Sequence, residues 1–473
     1  MPASVASQRV RQLLTGLTVL MSLSQGVSGS SLSTLKQEIV SLKEANKIGA
    51  VAYGVVSGEN ILLQEAIGYY NKEALRPVSL DSIFRIGSIS KTFTALGALA
   101  LENMSEFQLS KPVNNYLSQL PYENLWSKEF PISVAHLVEH TAGFRDMTRK
   151  EFDQLAPLTL ADAFLVDPQS RVTVWPPGHH SSYSNSGAGV TTAVLEAVSG
   201  LKFEDFMWRN VFQPLQLRSA SFTPPNEKYP ALVQGYDADG ETAIPYWHQL
   251  YPAFGALNIS PRDMLRFVMF LLNEGAIDGE QIFPSSLIKQ MVRPTTTLAA
   301  RAGLQYGYGK GIYQFQHKGI SFFGHGGDAD GYLAYFAYSP HLKLGYFVVI
   351  NAYQQDTLQT IKECIQDFMV GEERGVFPKP STLQPEAESI LFGEYEEVTT
   401  RFVSNKTAKR LEIYRGIDGS IYTRLNDANV QELLPISAHL FRRRWHSVAT
   451  AALISVNDEV YFQGDFGNFR KVR

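Results

Sequence analysis

Residues 371–389 read GEERGVFPKPSTLQPEAES, a segment rich in proline and charge that divides the chain into two parts of different character. Proline and glycine interrupt regular secondary structure and charged side chains resist burial, so this composition predicts a linker between domains. Before it, helical and strand patterns are mixed. After it, residues 390–473 show short alternating strands with turn signals such as Asp418-Gly419, which predicts a small all-β domain. With 473 residues, of which 44% are hydrophobic, the chain can build more than one core.

The part that precedes the linker has strand patterns near both of its ends. Residues 49–70 contain two apolar runs around a turn at residues 57–60, which indicates a β-hairpin. Residues 331–339 and 344–350 are apolar enough to predict fully buried strands. Helical periodicity predicts helices over residues 31–45, 92–103, 187–199, 261–273 and 356–368.

The N-terminal residues have the pattern of an export signal. Arg9 and Arg11 precede an apolar stretch, residues 13–27, which is diluted by threonine, serine and glycine. A charged start, a short apolar middle and a small-residue exit are typical of a secretory signal peptide, predicted here over residues 1–29. The protein is then expected to be secreted or periplasmic, and a membrane is a partner only if this segment stays uncleaved as an anchor. Cys364 is the only cysteine, so no intramolecular disulfide can form.

The stretch FRIGSISKTFTALGAL, residues 84–99, places Ser88 and Lys91 at the start of an apolar helical run. A phosphate-binding P-loop would need a glycine-rich approach, and no such stretch stands ahead of Gly87. The alternative is a serine nucleophile with a lysine beside it. Residues three apart share one helical face, so the amine of Lys91 can reach the hydroxyl of Ser88 and take its proton. Because S-x-x-K is common on solvated helix faces, the motif needs partners.

Two further segments supply such partners. Tyr183 and Asn185 form a Y-x-N motif on a predicted tight turn, where the phenol can carry a proton and the amide can orient the lysine and a substrate carbonyl. His325-Gly326-Gly327 stands just before a predicted strand. Its glycines would let a substrate approach the strand edge, while the imidazole borders the pocket. Each motif alone is equally compatible with a surface loop.

Together, the three motifs resemble those of the serine β-lactamase and penicillin-binding-protein superfamily, in its class C-like branch. The resemblance covers roughly residues 32–370 and includes framing segments such as LVEHTAGF, residues 137–144. It implies an α+β fold in a domain of residues 30–370: an α/β sandwich whose antiparallel sheet of five or more strands is flanked by helices, plus an all-helical lobe. The active site would lie between the two. Residues 390–473 resemble, more weakly, the small lipocalin-like β-barrel attached to some hydrolases of this branch.

In this family, the serine attacks a carbonyl and forms an acyl-enzyme, which water or another acceptor releases. The resemblance assigns the nucleophile to Ser88, the general-base work to Lys91 and Tyr183 jointly, and the positioning of both to Asn185. The oxyanion hole would consist of the backbone N–H groups of Ser88 and Asp328. No cofactor and no metal are implied, and the expected partner is a small-molecule or peptide substrate.

The third motif departs from the family pattern, and this departure affects the expected substrate. β-Lactamases and DD-peptidases of the family usually carry Lys-Thr-Gly or Lys-Ser-Gly there, whose cation and hydroxyl bind a substrate carboxylate. Here the cation is replaced by His325, Gly326 has no hydroxyl, and Asp328 adds a negative charge. These changes favour neutral esters, amides or an N-terminal D-residue, as in esterases and D-amino-acid peptidases. The alternatives are a β-lactamase, a DD-carboxypeptidase, a transacylase, or a catalytically silent peptide-binding protein.

Other features argue against competing functions. The net charge is −4, and the one basic cluster, residues 442–444, is predicted to lie on a strand and face solvent, so no nucleic-acid partner is expected. His136 and His140 in HLVEH have the spacing of a zinc peptidase, but the segment continues into a family landmark where His140 is expected to be structural. Residues 179–180, both histidines, are expected to be loop residues. Phe254 replaces a family glycine and is expected to belong to the core or to narrow the pocket.

Overall fold

A computed structural model describes residues 31–73, 75–224, 232–401 and 408–472. The predicted signal peptide, residues 1–29, lies outside the described residues. Within the described ranges, no helix has the length and apolar character needed to cross a membrane.

The first domain contains a six-stranded antiparallel sheet. In chain order the strands of this domain are β1 (Ala50–Ser57), β2 (Asn60–Gly68), β3 (Phe84–Arg85), β4 (Asn258–Ile259), β5 (Ala276–Ile277), β6 (Glu280–Gln281), β7 (Tyr313–His317), β8 (Ile320–Ala329), β9 (Tyr332–Ser339) and β10 (Leu344–Ile350). The six-stranded sheet has the spatial order β2-β1-β10-β9-β8-β7, and the other four strands form two short pairs. The predicted hairpin and the two predicted buried strands are thus part of one sheet.

Strand β10 explains why this sheet is covered on both faces. Its sequence LGYFVVI is apolar at successive positions, and successive side chains of a strand point to opposite faces. Tyr346 and Val348 pack into one hydrophobic core, whereas Phe347 and Val349 pack into another. A strand with two apolar faces must be buried on both sides, and helices provide that cover.

The helices of the first domain lie on both sides of the sheet. In chain order they are α1 (Leu32–Ala45), α2 (Ser90–Met104), α3 (Val134–Val138), α4 (Leu160–Val166), α5 (Ser186–Ser199), α6 (Phe203–Met207), α7 (Pro252–Gly255), α8 (Pro261–Leu272), α9 (Ser285–Met291), α10 (Leu298–Arg301) and α11 (Gln355–Val370). The first and last of these pack on one face through residues such as Leu35 and Ile361. Helices α2, α3, α5 and α8 contribute to the larger core on the other face. The predicted α+β class is confirmed.

The second domain is a closed eight-stranded barrel. Its strands are β11 (Gly393–Glu397), β12 (Arg410–Arg415), β13 (Ile421–Leu425), β14 (Asn429–Pro435), β15 (Leu440–Arg443), β16 (Ala451–Val456), β17 (Glu459–Gly464) and β18 (Gly467–Lys471). Short strands of alternating pattern leave edges exposed unless the sheet closes, and here β11 pairs with β18 to close it. The predicted small all-β domain is confirmed.

The segment predicted as a linker contains more structure than expected. Helix α12 (Pro385–Leu391) begins within it, with a proline at its first position, where the missing N–H costs nothing. Leu383 and Leu391 are buried in the core of the barrel. The second half of the segment therefore belongs to the barrel's packing, and the part without regular structure is shorter than residues 371–389.

The prediction that residues 442–444 face solvent is wrong for Arg442. This side chain is buried, and its guanidinium donates hydrogen bonds to the carbonyls of Arg443, Arg444, His446 and Pro378. Carbonyl oxygens thus accept from both terminal nitrogens of the guanidinium, whereas Nε has no hydrogen-bond partner among the described residues. Within the same residues, Arg442 forms no ion pair with a carboxylate, so carbonyl groups alone accompany the buried charge.

A buried ion pair joins α3 to the segment before β7. Lys310 Nζ lies 2.7 Å from Glu139 Oε1, and both side chains are almost fully buried. The same carboxylate accepts hydrogen bonds from the backbone N–H and hydroxyl groups of Thr295 and Thr296. Glu139 is the acidic residue of the HLVEH segment, and these contacts assign it a structural role.

Replacing Lys310 with methionine is expected to lower the free energy of unfolding by about 3–5 kcal/mol, because it leaves the carboxylate of Glu139 buried without a cation. Urea denaturation of the full chain measures this change. The matched control is Lys289→Met, which breaks the exposed pair with Glu274 and should cost less than about 1 kcal/mol. Equal effects of the two substitutions would contradict the structural importance of the buried pair.

Candidate active site

Ser88 lies on a single 3-10 turn, Gly87–Ile89, immediately before helix α2. The turn packs closely against strand β8. Gly87 has a φ of +50°, and a Cβ at this position would lie 2.3 Å from the carbonyl oxygen of Asp328, so only glycine fits. The serine was expected on the helix itself, but it precedes the first helical residue and faces an open cleft.

Lys91, three residues after Ser88, places an amine within hydrogen-bond distance of the serine hydroxyl. Its Nζ lies 3.0 Å from Ser88 Oγ and donates a hydrogen bond of 2.7 Å to the carbonyl of Phe254. The side chain is buried, and burial is the main reason why its pKa is well below the usual value for lysine. The nearby carboxylate of Asp146 opposes this shift, and the guanidinium of Arg401 adds to it. A neutral amine beside a serine hydroxyl can accept its proton.

Tyr183 completes a cluster of three polar groups. Lys91 Nζ lies 4.9 Å from the centroid of the Tyr183 ring. Burial raises the pKa of the phenol above its ordinary value, while the neighbouring side chain of Ser88 partly opposes that rise. The structure therefore brings together the serine, the lysine and the tyrosine that the sequence motifs singled out.

Asn185 is close to the cluster but has a different partner from the expected one. Its side-chain amide donates to Asp146 Oδ2 at 3.3 Å, and its backbone N–H donates to Asp146 Oδ1 at 2.7 Å. Asn185 Oδ1 is buried and has no hydrogen-bond partner among the described residues. The amide was expected to orient Lys91 directly, whereas it donates to the buried carboxylate of Asp146.

Asp146 and Arg401 are site residues that sequence reasoning missed. Arg401 Nη2 lies 2.6 Å from Asp146 Oδ2, and the guanidinium carbon of Arg401 lies 4.6 Å from the centroid of the Tyr183 ring. Arg401 belongs to the C-terminal domain, 255 residues from its partner. Asp146 stands two residues after the segment LVEHTAGF, which was the only local signal for either residue.

The third motif forms the opposite wall. His325, Gly326, Gly327 and Asp328 lie on β8, which pairs with β7 only over residues 320–324. The strand edge beyond residue 324 is therefore not covered by β7. A Cβ on Gly327 would lie 1.7 Å from the carbonyl oxygen of Ile86, so this glycine allows the strand to approach the serine turn.

His325 does not supply a cation to the site. Its Nε2 lies 2.8 Å from the hydroxyl of Tyr308, and burial lowers its pKa to about 3. The nearby charge of Lys91 lowers the pKa further. Asp328 accepts a hydrogen bond of 2.9 Å from the hydroxyl of Tyr353, and burial raises the pKa of this carboxyl. The lowered pKa of His325 leaves its imidazole neutral at physiological pH, as expected from the sequence.

Of the groups described above, Ser88, Asn185, Asp328 and Arg401 line a cleft of about 830 Å³ between the helices, the sheet and the barrel. Its walls carry four carboxylates, two arginines and several apolar side chains. The full set of lining residues is Ser88, Arg149, Phe152, Asp153, Asn185, Asp237, Ile244, Trp247, Gln249, Phe254, Asp328, Ala329, Asp330, Gly331, Tyr353 and Arg401. Phe254 is buried and also lines the cleft, so both expectations for this residue hold. The cleft is open and large enough for a substrate to reach Ser88.

The histidines outside the cleft have structural partners. The backbone N–H of Ser184 donates to His140 Nδ1 at 3.2 Å, and that of Ser133 donates to His136 Nδ1 at 3.1 Å. The side chain of Gln463 in the barrel contacts the carbonyl of His179 and Nδ1 of His180, so these loop histidines lie at the domain interface. Across the described ranges, no group of three or more histidine, cysteine, aspartate or glutamate residues could hold a metal ion.

Sequence comparisons identify relatives of this chain. The profile of the family described as Beta-lactamase matches residues 35–361. Penicillin-binding protein 4* of Bacillus subtilis (strain 168) is 23% identical over 361 residues, which cover 72% of this chain and 76% of that protein. Esterase EstB of Burkholderia gladioli is 30% identical over 192 residues, which cover 38% of this chain and 48% of the esterase. The matched regions thus span from about half to three quarters of these two relatives.

Among solved structures, the penicillin-binding protein homologue from Pyrococcus abyssi is similar over most of the molecule. The superposition has a TM-score of 0.61 at 22% identity and covers 93% of this chain and 100% of that chain. At this identity the similarity shows the fold alone. It extends over both the helix-and-sheet domain and the barrel.

Proposed function

Because this chain belongs to the beta-lactamase family and is a serine hydrolase of that family, we propose that it is secreted and acts on neutral esters or amides through an acyl-enzyme on Ser88. One observation carries the proposal. Lys91 Nζ, buried and with a lowered pKa, lies 3.0 Å from Ser88 Oγ in an open cleft. An amine in this state is suited to accept the serine proton.

The proposed reaction has two steps. In the first, Ser88 Oγ bonds to the substrate carbonyl carbon while Lys91 and Tyr183 take up the hydroxyl proton and deliver it to the leaving alkoxide or amine. The backbone N–H groups of Ser88 and Asp328 would stabilise the negative oxygen, and the close packing of the serine turn on β8 supports this pairing. In the second step, water attacks the acyl-enzyme and Ser88 regains its proton.

The charges of the cleft favour substrates without a carboxylate. His325 is neutral, and Asp153, Asp237, Asp328 and Asp330 line the walls. A substrate carboxylate would meet repulsion from these groups. Of the two arginines on the walls, Arg401 is paired with Asp146, and the four carboxylates outnumber the charge of Arg149.

The substrate class can be tested with matched p-nitrophenyl esters of one neutral acid and of its analogue with a terminal carboxylate. The neutral ester is expected to have a kcat/KM at least about tenfold higher, corresponding to about 1.4 kcal/mol. D-Amino-acid p-nitroanilides test the peptidase form of the proposal, and nitrocefin tests the alternative. Nitrocefin turnover at the rates of dedicated β-lactamases, or a preference for the carboxylated ester, would refute the proposed substrate class.

Transfer to other acceptors is the nearest alternative for the same site. Product analysis with and without an added alcohol or amine distinguishes the two outcomes, since a transacylase forms a new ester or amide and a hydrolase releases the free acid. If the wild-type protein neither turns over these substrates nor forms an adduct with a fluorophosphonate, the peptide-binding alternative replaces the proposal.

A further inference from the structure

Arg401 of the barrel domain lines the catalytic cleft. Its side chain and its backbone both contact Asp146. Nη2 and Nε of its guanidinium lie 2.6 and 2.8 Å from Asp146 Oδ2. In addition, the backbone N–H of Asp146 donates to the carbonyl of Arg401 at 2.8 Å. Backbone and side chain of Arg401 are therefore both fixed to one residue of the first domain.

Asp146 connects Arg401 to the catalytic cluster. Its side chain is fully buried and accepts hydrogen bonds from the backbone and side-chain amides of Asn185. A buried carboxylate is costly unless a cation and hydrogen bonds compensate it. Among the described residues, the ion pair with Arg401 is the only one that Asp146 forms. Removing this arginine would leave an uncompensated negative charge directly behind the Y-x-N turn.

The same arginine contacts the tyrosine of that turn. The guanidinium carbon of Arg401 lies 4.6 Å from the centroid of the Tyr183 ring, a distance at which cations interact with aromatic faces. Lys91 Nζ lies 4.9 Å from the same centroid. Arg401 of the barrel thus contacts both the carboxylate of Asp146, which binds Asn185, and the ring of Tyr183, which lies next to the amine.

We propose that Arg401 is a positioning residue of the catalytic centre: its ion pair with Asp146 holds Asn185 and Tyr183 in place beside Ser88. This inference rests on the proposed function, because it assigns Arg401 a role in the same acyl-transfer site. It makes the barrel a necessary part of the active site, since the first domain alone leaves Asp146 without its cation.

The charge state of Lys91 provides a readout of this arrangement. The titratable and charged groups that face it from the surrounding elements are Tyr183, Asp146, Arg401, His140 and His325. Burial lowers the pKa of both histidines, to about 3 for His325, and raises that of the tyrosine. Asp146 raises the pKa of Lys91 and Arg401 lowers it, so the two groups act on the amine in opposite directions.

The test measures the rate at which a fluorophosphonate labels Ser88 as a function of pH in the full chain. The acid limb of this profile is the range in which the labelling rate falls as the pH decreases. Arg401→Gln leaves Asp146 uncompensated and raises the pKa of Lys91, so the acid limb should move up by about one pH unit and labelling at pH 7 should slow about tenfold. Asp146→Asn removes the opposite charge, so the acid limb should move down. A purely structural role would not shift the limb in opposite directions.

Two further variants and a control make the test specific. Arg401→Lys keeps the charge, and the double variant Arg401→Gln/Asp146→Asn removes both charges; each should return the acid limb to within about half a pH unit of wild type. The control is Gln463→Ala, which removes the contacts of the barrel with Ala299, His179 and His180 away from the cleft. It should leave the limb in place.

The inference is overturned if Arg401→Gln and Asp146→Asn shift the acid limb in the same direction. It is also overturned if neither variant shifts the limb relative to the control Gln463→Ala. Unfolding curves of each variant show whether the labelled protein is folded. If wild-type protein is not labelled on Ser88 at all, the proposed function itself fails. If Ser88 is labelled normally and the acid limbs of the variants do not shift, only the proposed role of Arg401 is refuted.

Discussion

Replacing Ser88 with alanine is expected to reduce kcat/KM for a neutral p-nitrophenyl ester by roughly 10⁴- to 10⁶-fold, because it removes the oxygen that forms the acyl-enzyme. The residual rate would come from substrate binding and the oxyanion donors alone. Intact-protein mass spectrometry after fluorophosphonate treatment should show one adduct on the wild-type chain and none on the variant. Since the Ser88 side chain is only half-buried and lines the cleft, its truncation should leave the fold intact.

The matched control is Ser105→Ala, which removes a hydroxyl just beyond the other end of helix α2, where it donates 2.7 Å to the carbonyl of Leu101. This variant should keep both turnover and the adduct. If Ser88→Ala retains more than about 1% of the activity, or if the adduct forms on another residue, Ser88 is not the nucleophile.

The proximity of the candidate catalytic residues could be predicted from the sequence where local geometry fixes their distance. Ser88 and Lys91 are three residues apart at a helix start, so the backbone alone brings their side chains together, and the structure places Nζ and Oγ 3.0 Å apart. The strand of residues 344–350 was predicted with its observed bounds, because a continuous apolar run of that length has to be covered on both faces.

Contacts between distant segments could not be predicted in this way. The carbonyl of Phe254 that accepts from Lys91 is 163 residues away in sequence, and its backbone position leaves no side-chain signature. Arg401 and Asp146 belong to different domains, and neither residue stands out within its own segment. Their pairing depends on how the barrel docks, which local periodicity does not encode.

Two of the structural expectations that the structure modifies share one cause. The prolines of residues 371–389, among them Pro385, were interpreted as interrupting regular structure, and Arg442 was interpreted as a solvent-facing cation. Their positions decide otherwise: a proline at the first position of a helix is favourable, and an arginine surrounded by carbonyl oxygens can be buried. In both cases the hydrogen-bond partners of the surrounding backbone determine the outcome.

Replacing Lys91 with methionine is expected to reduce kcat/KM by about 10²- to 10⁴-fold, the usual contribution of a general base. Methionine has a similar length and no charge, so it fits the buried site. In the wild-type enzyme only the neutral amine is active. Activity should therefore be constant above the lowered pKa of Lys91 and fall about tenfold for each pH unit below it. In Lys91→Met this acid limb should disappear, and the remaining activity should not depend on pH in that range.

The pH profile makes this prediction specific, and a second lysine provides the control. Lys362 on helix α11 is also partly buried, and burial lowers its pKa to about 8, yet it does not line the cleft. Lys362→Met should keep both the rate and the acid limb of the wild type. If the limb instead persists in Lys91→Met, another group titrates there and Lys91 is not the base. If Lys362→Met removes the limb, the titration arises outside the cleft. Only the loss of the limb in Lys91→Met alone assigns the proton transfer to the amine beside Ser88.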